Sequence, residues 1–443
     1  MTPETLIESP LARLSEEEIE ALGREFDAIH DEVFAELGDR DRRYIVAIIG
    51  MHRRLVVGSR AVLVAARFRP AWLLGTSMLS LAKILENMEI GHNVMHGQWD
   101  WMNDPHIHSS TWDWDTASTA EAWKHSHNYE HHTFTNIRGK DRDLGYEIMR
   151  IDPHQRWHPV YLAQPLYNIF LAMFFEWGVA VHDLNFDAIR KGEKSKAQVN
   201  RELKGMAGKA RAQVVKDYIA FPALSAAVAG GLRYAIERRG RKRGVAAKAA
   251  ADEARRTFRA TLKADVTANI VRNVWSYAII FCGHFPDQTY TFDADEVADE
   301  TRGGFYVRQL LGAANIEGSP LFHVISGNLG YQVEHHLYPD MPSSRYGEIA
   351  PKVKDICRRY GLPYNSGPFG KQLGGVQRTI LRLAFPGGTP RPKPGPYRGD
   401  DTKPAPGAKP RFARPGEHGS GPEQPSDGVR VSMPDERFTR SEG

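Results

Sequence analysis

Seven histidines of this chain fall in three tight groups: His92-Asn-Val-Met-His96, His127-Asn-Tyr-Glu-His131-His132 and Gln332-Val-Glu-His335-His336. Imidazole is a ligand for iron, zinc, copper and nickel. Two histidines four apart on a helix lie on one face, within reach of a single ion. Three such groups hold more imidazoles than one tetrahedral ion uses, so the pattern points to a polynuclear metal site. A zinc protease would place a glutamate directly after the first histidine of an HExxH helix. Here Glu130 and Glu334 instead precede His131 and His335. These two, with Asp141 and Asp143, are candidate acceptors for the second ring N–H of a metal-bound histidine; the alternative is ordinary exposed charge.

The groups are far apart in the chain, so helices must bring them together, and each group adjoins an apolar stretch. Five segments approach the about 20 residues a spanning helix needs: roughly 44–66, 70–90, 160–182, 213–235 and 264–283. None is clean. His52-Arg53-Arg54 interrupts the first, Lys83 and Glu86 the second, Asp265 and Arg272 the last. If the first two form a hairpin, the chain is back on its starting side at His92. The third group joins the others only after an even number of further crossings. The segment 160–182, with Trp157 and Trp177 near its ends, reads as an interfacial helix, which leaves 213–235 and 264–283 as a second hairpin. The expected fold is all-α and integral to a membrane: about four transmembrane helices in two hairpins, with a cytosolic helical cap over a histidine-rich site. The basic run Glu237 to Arg243 opposes the positive-inside tendency. The insert 236–262 around it reads as a solvated helix that projects beyond the bilayer or marks a different topology.

Composition bounds the rest. The chain has 443 residues, a net charge of +4 and two cysteines, Cys282 and Cys357. That charge gives no general pull toward nucleic acid, and two thiols cannot hold a four-cysteine iron–sulfur cluster. A mean hydropathy of −0.46 is low for a membrane protein; a Pro/Gly-rich tail, 383–443, lowers it and is expected to be disordered. The N-terminal region is acidic, unlike a signal peptide. Ser15 and Glu18 form an expected capping box that opens an amphipathic helix bearing Ile19, Leu22, Phe26, Ile29 and Val33. The expected domains are 1–43, a cytosolic amphipathic segment; 44–382, the membrane domain; and the tail.

Asn87 to Trp101, His127 to Asn136, Gly327 to Pro342 and Phe281-Cys-Gly-His284 together resemble the membrane-bound fatty acyl-CoA desaturases of the three-histidine-box type. The likeness runs from about Ala21 to Arg382 and is nearest to the mycobacterial stearoyl-CoA desaturases. The resemblance implies a non-haem di-iron centre held by His92, His96, His127, His131, His132, His335 and His336, with His284 as an eighth ligand. Gln332 stands where another branch carries a further histidine, which places it near the metal. His323 is not required by the pattern. His106, His108 and His125 read as local structure, while His30, His52, His154, His158, His182 and His418 have no such context.

The reaction implied is O2-dependent insertion of a cis double bond into a long-chain acyl-CoA, most nearly stearoyl-CoA at position 9. Unactivated C–H bonds are beyond any side-chain acid or base, so two iron ions and O2 must do that step. Trp99, Trp101, Trp112, Trp114 and Trp123 either line an acyl tunnel or anchor the chain at the membrane interface. Lys124, Arg138 and Lys140 either meet a CoA phosphate or are solvated charges. Without a GxGxxG segment, a cytochrome b5 haem motif or a cluster, the chain is expected to draw electrons from a separate NAD(P)H-dependent reductase, directly or through a ferredoxin. The expected location is the cell membrane, multi-pass, with the site and both termini cytoplasmic. Alternatives are a front-end or linoleoyl desaturase, one acting on acyl lipids, a related di-iron hydroxylase, or a membrane metal- or lipid-binding protein without turnover.

Overall fold

The structure, a computed structural model, describes residues 10–286, 288–387 and 393–399. Most of the tail lies outside them. The chain is mostly helical; among the described residues the only strands are β1, Asn315–Glu317, and β2, Ser366–Pro368, paired in parallel.

The first helix, α1 (Glu16–Ala35), starts where its capping box requires. Ser15 Oγ accepts from the Glu18 N–H at 3.2 Å, and Glu18 Oε2 accepts from the Ser15 N–H at 2.8 Å. Leu22, Phe26, Ile29 and Val33 are buried in a cluster with Tyr306, Val307 and Leu310, which also takes in Tyr338 and Tyr346 from the region after the third histidine group. This part of the fold is thus built on ordinary apolar burial.

Two pairs of long helices follow. Asp39–Leu63 (α2) packs against Arg69–Ile84 (α3), which runs directly into a π turn, Leu85–His92. Later, Lys196–Glu237 is continuous helix. It follows the shorter helices α4 (Gln164–Met173) and α5 (Phe175–Asp183) and comprises α6 (Lys196–Val214), a π turn Val215–Ala220 and α7 (Phe221–Glu237). Against α7 packs α8, Arg243–His284, of 42 residues. At about 1.5 Å per residue it is about 63 Å long. Within the segment 236–262, Arg238 to Lys242 turn the chain, and the Ala-rich part is helical as expected, forming the first half of α8.

Several charges within the apolar segments, though not the exposed Arg53 and Arg54, turn inward and meet across the two pairs. Arg60 of α2 reaches Asp265 of α8 at 2.6 Å, and Lys83 of α3 reaches Asp217 at 2.6 Å. Asn269 adds a hydrogen bond to Asp217 at 3.2 Å. Arg272 pairs with Glu176, and Lys216 with Asp115. Lys83, Asp217, Asp265, Arg272 and Glu176 are all buried, so each charge is compensated where it is desolvated.

The expected single interfacial helix at 160–182 is instead two: α4 (Gln164–Met173) and α5 (Phe175–Asp183), bent by 99° at Phe174. Leu166, Ile169 and Phe170 of α4 stay exposed, while the bend swings Glu176 inward to Arg272. By length and composition, Lys196–Glu237 can cross a membrane, and the bent pair is a second candidate. Within the tail, residues 393–399 are extended, and the Tyr397 N–H donates to the Leu362 carbonyl at 2.9 Å.

Candidate metal centre

All eight predicted histidines converge in one buried cluster. His92 ends the π turn after α3, and His127 and His131 lie on a second π turn, Lys124–His131. Such widened turns are rare and recur at functional sites. The last C-terminal residue of α8 is His284, and a short helix, Gln332–Leu337, carries His335 and His336.

The rings form two sets. Nitrogens of His92, His96, His127 and His335 lie within 4.8 Å of one another, and so do those of His131, His284 and His336. Between the sets stands His132, its ring centroid 4.8 Å from His96, 4.9 Å from His335 and 4.6 Å from His336. In every one of the eight rings a buried nitrogen has no hydrogen-bond partner: Nε2 of His92, His96, His127, His131, His335 and His336, Nδ1 of His284, and both nitrogens of His132. Unengaged buried polar atoms are costly. So many aimed together fit a metal-binding site.

In six of the rings, His92, His127, His131, His284, His335 and His336, the second nitrogen is engaged. Asp141 lies 3.1 Å from His131 Nδ1, Asp143 3.5 Å from His127 Nδ1, Gln309 2.9 Å from His336 Nδ1 and the Tyr346 hydroxyl 3.1 Å from His335 Nδ1. Such partners set the ring's tautomer and aim its free nitrogen. Of the four carboxylates predicted for this task, Asp141 and Asp143 perform it. Glu130 instead pairs with Arg142 at 2.8 Å. Glu334 accepts from Asn315 at 2.8 Å and from Tyr364 at 2.7 Å, touching no histidine ring.

Burial holds His96, His132, His284, His335 and His336 well below the ordinary imidazole value and pushes His92 down to about 3. Burial also lowers His127. For His131 burial opposes the charge of Asp141, and the carboxylate prevails, raising it. Neutral rings are the form a metal needs.

Gln332 sits beside the cluster, its Nε2 3.1 Å from His284 Nε2. Gly283 makes room for it, since a Cβ there would lie 2.7 Å from Gln332 Cγ. His323 belongs elsewhere: its ring stacks on Tyr331 at 4.1 Å.

Sequence reasoning missed His182, set aside for want of context. Its Nε2 lies 2.9 Å from Asp143 Oδ1, so Asp143 joins His127 to His182. Both His182 and Asp183 line a cavity of about 60 Å3 that starts at His92 and His127 and extends past Ile280, Ser276 and Asn273 to Glu176. Of the five tryptophans, Trp114 and Trp123 line this cavity, and Trp123 stacks on His127 at 4.6 Å. Trp99, Trp101 and Trp112 do not line it. Arg138 is committed to Asp293 and Asp152, Lys124 to the Ser109 carbonyl at 3.0 Å and Lys140 to the face of Phe134 at 5.5 Å.

The profile of the family described as fatty acid desaturase matches residues 253–368. The chain is 44% identical over 375 residues to the NADPH-dependent stearoyl-CoA 9-desaturase of Mycobacterium tuberculosis, covering 85% of this chain and 82% of that protein. It is 24% identical over 321 residues to the sn-1 linoleoyl-lipid 6-desaturase of a Synechocystis strain, covering 69% and 79%. Human fatty acid desaturase 3 matches at 36% over 87 residues, 20% of each chain. No solved structure matches. The chain belongs to the fatty acid desaturase family. It is an oxidoreductase of lipid metabolism, and its family is membrane-associated.

Proposed function

We propose that the eight histidines hold two non-haem iron ions and that the chain desaturates a long-chain acyl-CoA, with stearoyl-CoA and position 9 as the first substrate and site to test. The convergence of eight buried rings, each with an unengaged nitrogen, carries this reading. His92, His96, His127 and His335 would hold one ion; His131, His284 and His336 the other; His132 stands between them. With O2, the iron pair supplies an oxidant strong enough for an unactivated C–H bond.

The chain's own residues do the rest. Asp141, Asp143, Gln309 and Tyr346 aim the rings. The cavity wall of Trp114, Trp123, Phe175, Val179 and Ile280 is apolar, and it holds the acyl chain beside His92 and His127 at a fixed depth. Its polar members are tied to each other: Ser276 donates to Asn87 Oδ1 at 2.8 Å, and Ser126 and Ser118 both donate to Asp183. They therefore present little free polarity to a hydrocarbon. Overall, two hydrogens would leave adjacent methylenes and O2 would be reduced to two waters, taking up two protons from solvent and two further electrons from an NAD(P)H-dependent reductase, directly or through a ferredoxin. The mycobacterial relative's NADPH dependence supports such a donor.

For the membrane we propose four crossings, by α2, α3, α7 with the end of α6, and the second half of α8, with the site and both termini cytoplasmic in a cell membrane. Inward pairing of Arg60, Lys83, Asp217 and Asp265 supports spans that carry charge, and exposed Val57, Leu73, Leu74, Leu224, Val228 and Val274 offer a lipid-facing surface.

Expression in a host defective in fatty-acid desaturation, followed by gas chromatography of the methyl esters, tests the reaction. A new monounsaturated ester is the expected result. Its absence with folded protein and a competent reductase would overturn the reading.

A further inference from the structure

Glu89 lies three residues before His92 and is fully buried. Three neutral groups hold its carboxylate. The Tyr44 hydroxyl donates to Oε1 at 2.7 Å, the Ser343 hydroxyl to Oε1 at 2.9 Å, and the Asn328 amide to Oε2 at 3.1 Å. No lysine or arginine among the described residues pairs with it. Other buried carboxylates of the helix pairs are matched by cations, Asp265 by Arg60 and Asp217 by Lys83. A dry carboxylate without a counter-charge is costly: burial pushes Glu89 up to about 8, so its charged form needs a compensating source.

A hydrogen-bonded chain leads from Glu89 to the metal cluster. The same Ser343 donates its backbone N–H to Gln98 Oε1 at 2.8 Å, Gln98 Nε2 donates to the Tyr346 hydroxyl at 2.9 Å, and that hydroxyl lies 3.1 Å from His335 Nδ1. Every side chain on this path is buried. On the other side, Asn93 Nδ2 donates to the Glu89 carbonyl at 3.1 Å, and Asn93 Oδ1 lies 3.0 Å from His92 Nδ1. The same residue thus anchors partners of two rings in the first ligand set.

Bound to a metal, all eight candidate ligands would be neutral imidazoles, so a cation held by them keeps its full charge in a water-poor site, where charges act strongly. We infer that Glu89 is a counter-charge of the metal centre and, through Ser343, Gln98 and Tyr346, a positioning residue for His335. This rests on the metal reading above. The nearby cation compensates the buried carboxylate, and the carboxylate in turn favours the more oxidised, more positive centre.

The test uses the full-length chain in detergent, ferrous ion alone competed by a chromophoric chelator, and a mediated redox titration of the loaded protein. Glu89→Gln should bind ferrous ion about 10–100-fold more weakly and show a higher midpoint potential, with unchanged thermal stability of the metal-free chain. Tyr44→Phe and Ser343→Ala remove hydrogen bonds but no charge and should leave the potential in place; Glu89→Asp should restore it. Wild-type affinity and potential in Glu89→Gln would overturn the inference. So would an equal potential shift in the hydroxyl variants, or failure of the metal-free Glu89→Gln chain to fold, which would mark a structural carboxylate. Failure of the wild type to take up ferrous ion would instead sink the metal reading itself.

Discussion

Both carboxylate oxygens of Asp141 lie 3.1 Å from Nδ1 of His131. The carboxylate is itself fixed, accepting the Asn136 N–H at 2.7 Å and the Asp143 N–H at 2.9 Å. A rigid loop therefore turns His131 so that its Nε2 faces the cluster. Asp141→Asn should weaken ferrous-ion binding about 10–100-fold while circular dichroism stays unchanged. Unaltered affinity would show that the loop does not orient the ring.

His131→Ala removes a ring from the set formed with His284 and His336. It should abolish product formation and lower iron content. Iron at the wild-type stoichiometry would take His131 out of the ligand set.

Metal uptake should depend on pH mainly through this same residue. His131 is raised from its usual value near 6.5, and a raised value means the proton stays on to higher pH. Metal and proton compete for the ring, so uptake strengthens as pH rises through the raised value and weakens below it. The other rings are already neutral there. Ferrous-ion affinity measured between about pH 5 and 8 should bend once, and the bend should move to lower pH in Asp141→Asn. A flat profile would contradict this.

Ser276 lines the cavity two helical turns before His284. Ser276→Leu fills that space with apolar volume, so the variant should prefer shorter chains. Competition between C16 and C18 acyl-CoA, read by gas chromatography, should shift by about tenfold or more. A wild-type product ratio with normal iron content would remove the cavity from the substrate path.

Breaking a cross-pair contact should cost stability and leave the histidines in place. Asp265→Ala strips Arg60 of its 2.6 Å partner and leaves it only Asp217 at 3.7 Å; the cost approaches the about 3–5 kcal/mol of a broken buried pair. The thermal midpoint in detergent should fall well below wild type. An unchanged midpoint would mean the pair is not desolvated.

Seven of the histidines were legible because their spacing is local: each group is a few residues long, and its neighbours announce the helix end that carries it, whereas His284 stands alone and came only from the family resemblance. Asp141 and Asp143 were legible as candidates but not separable from Glu130 and Glu334, because only the fold decides which carboxylates face a ring. His182 and Glu176 were not legible at all. Their partners, Asp143 and Arg272, lie far away in the chain, and the bend at Phe174 that aims them leaves no periodic trace. Lys83, Asp265 and Arg272 made the apolar segments look flawed for a related reason. Hydropathy counts charges one by one and cannot see that Arg60 and Lys83 meet Asp265 and Asp217 in another part of the chain.

That pairing has a consequence for how the protein is made. In the proposed four-span arrangement, the first helix pair emerges from the ribosome with two cations, Arg60 and Lys83, whose carboxylates at Asp217 and Asp265 are not yet synthesised. Both cations lie in the last turn of their helices, where an unpaired cation costs less than the about 2.5–3.5 kcal/mol of one at the centre of the bilayer. The first pair is therefore only a provisional occupant of the membrane. Lys83 gains its partner only when Asp217 follows, and Arg60 its 2.6 Å partner only when α8 brings Asp265.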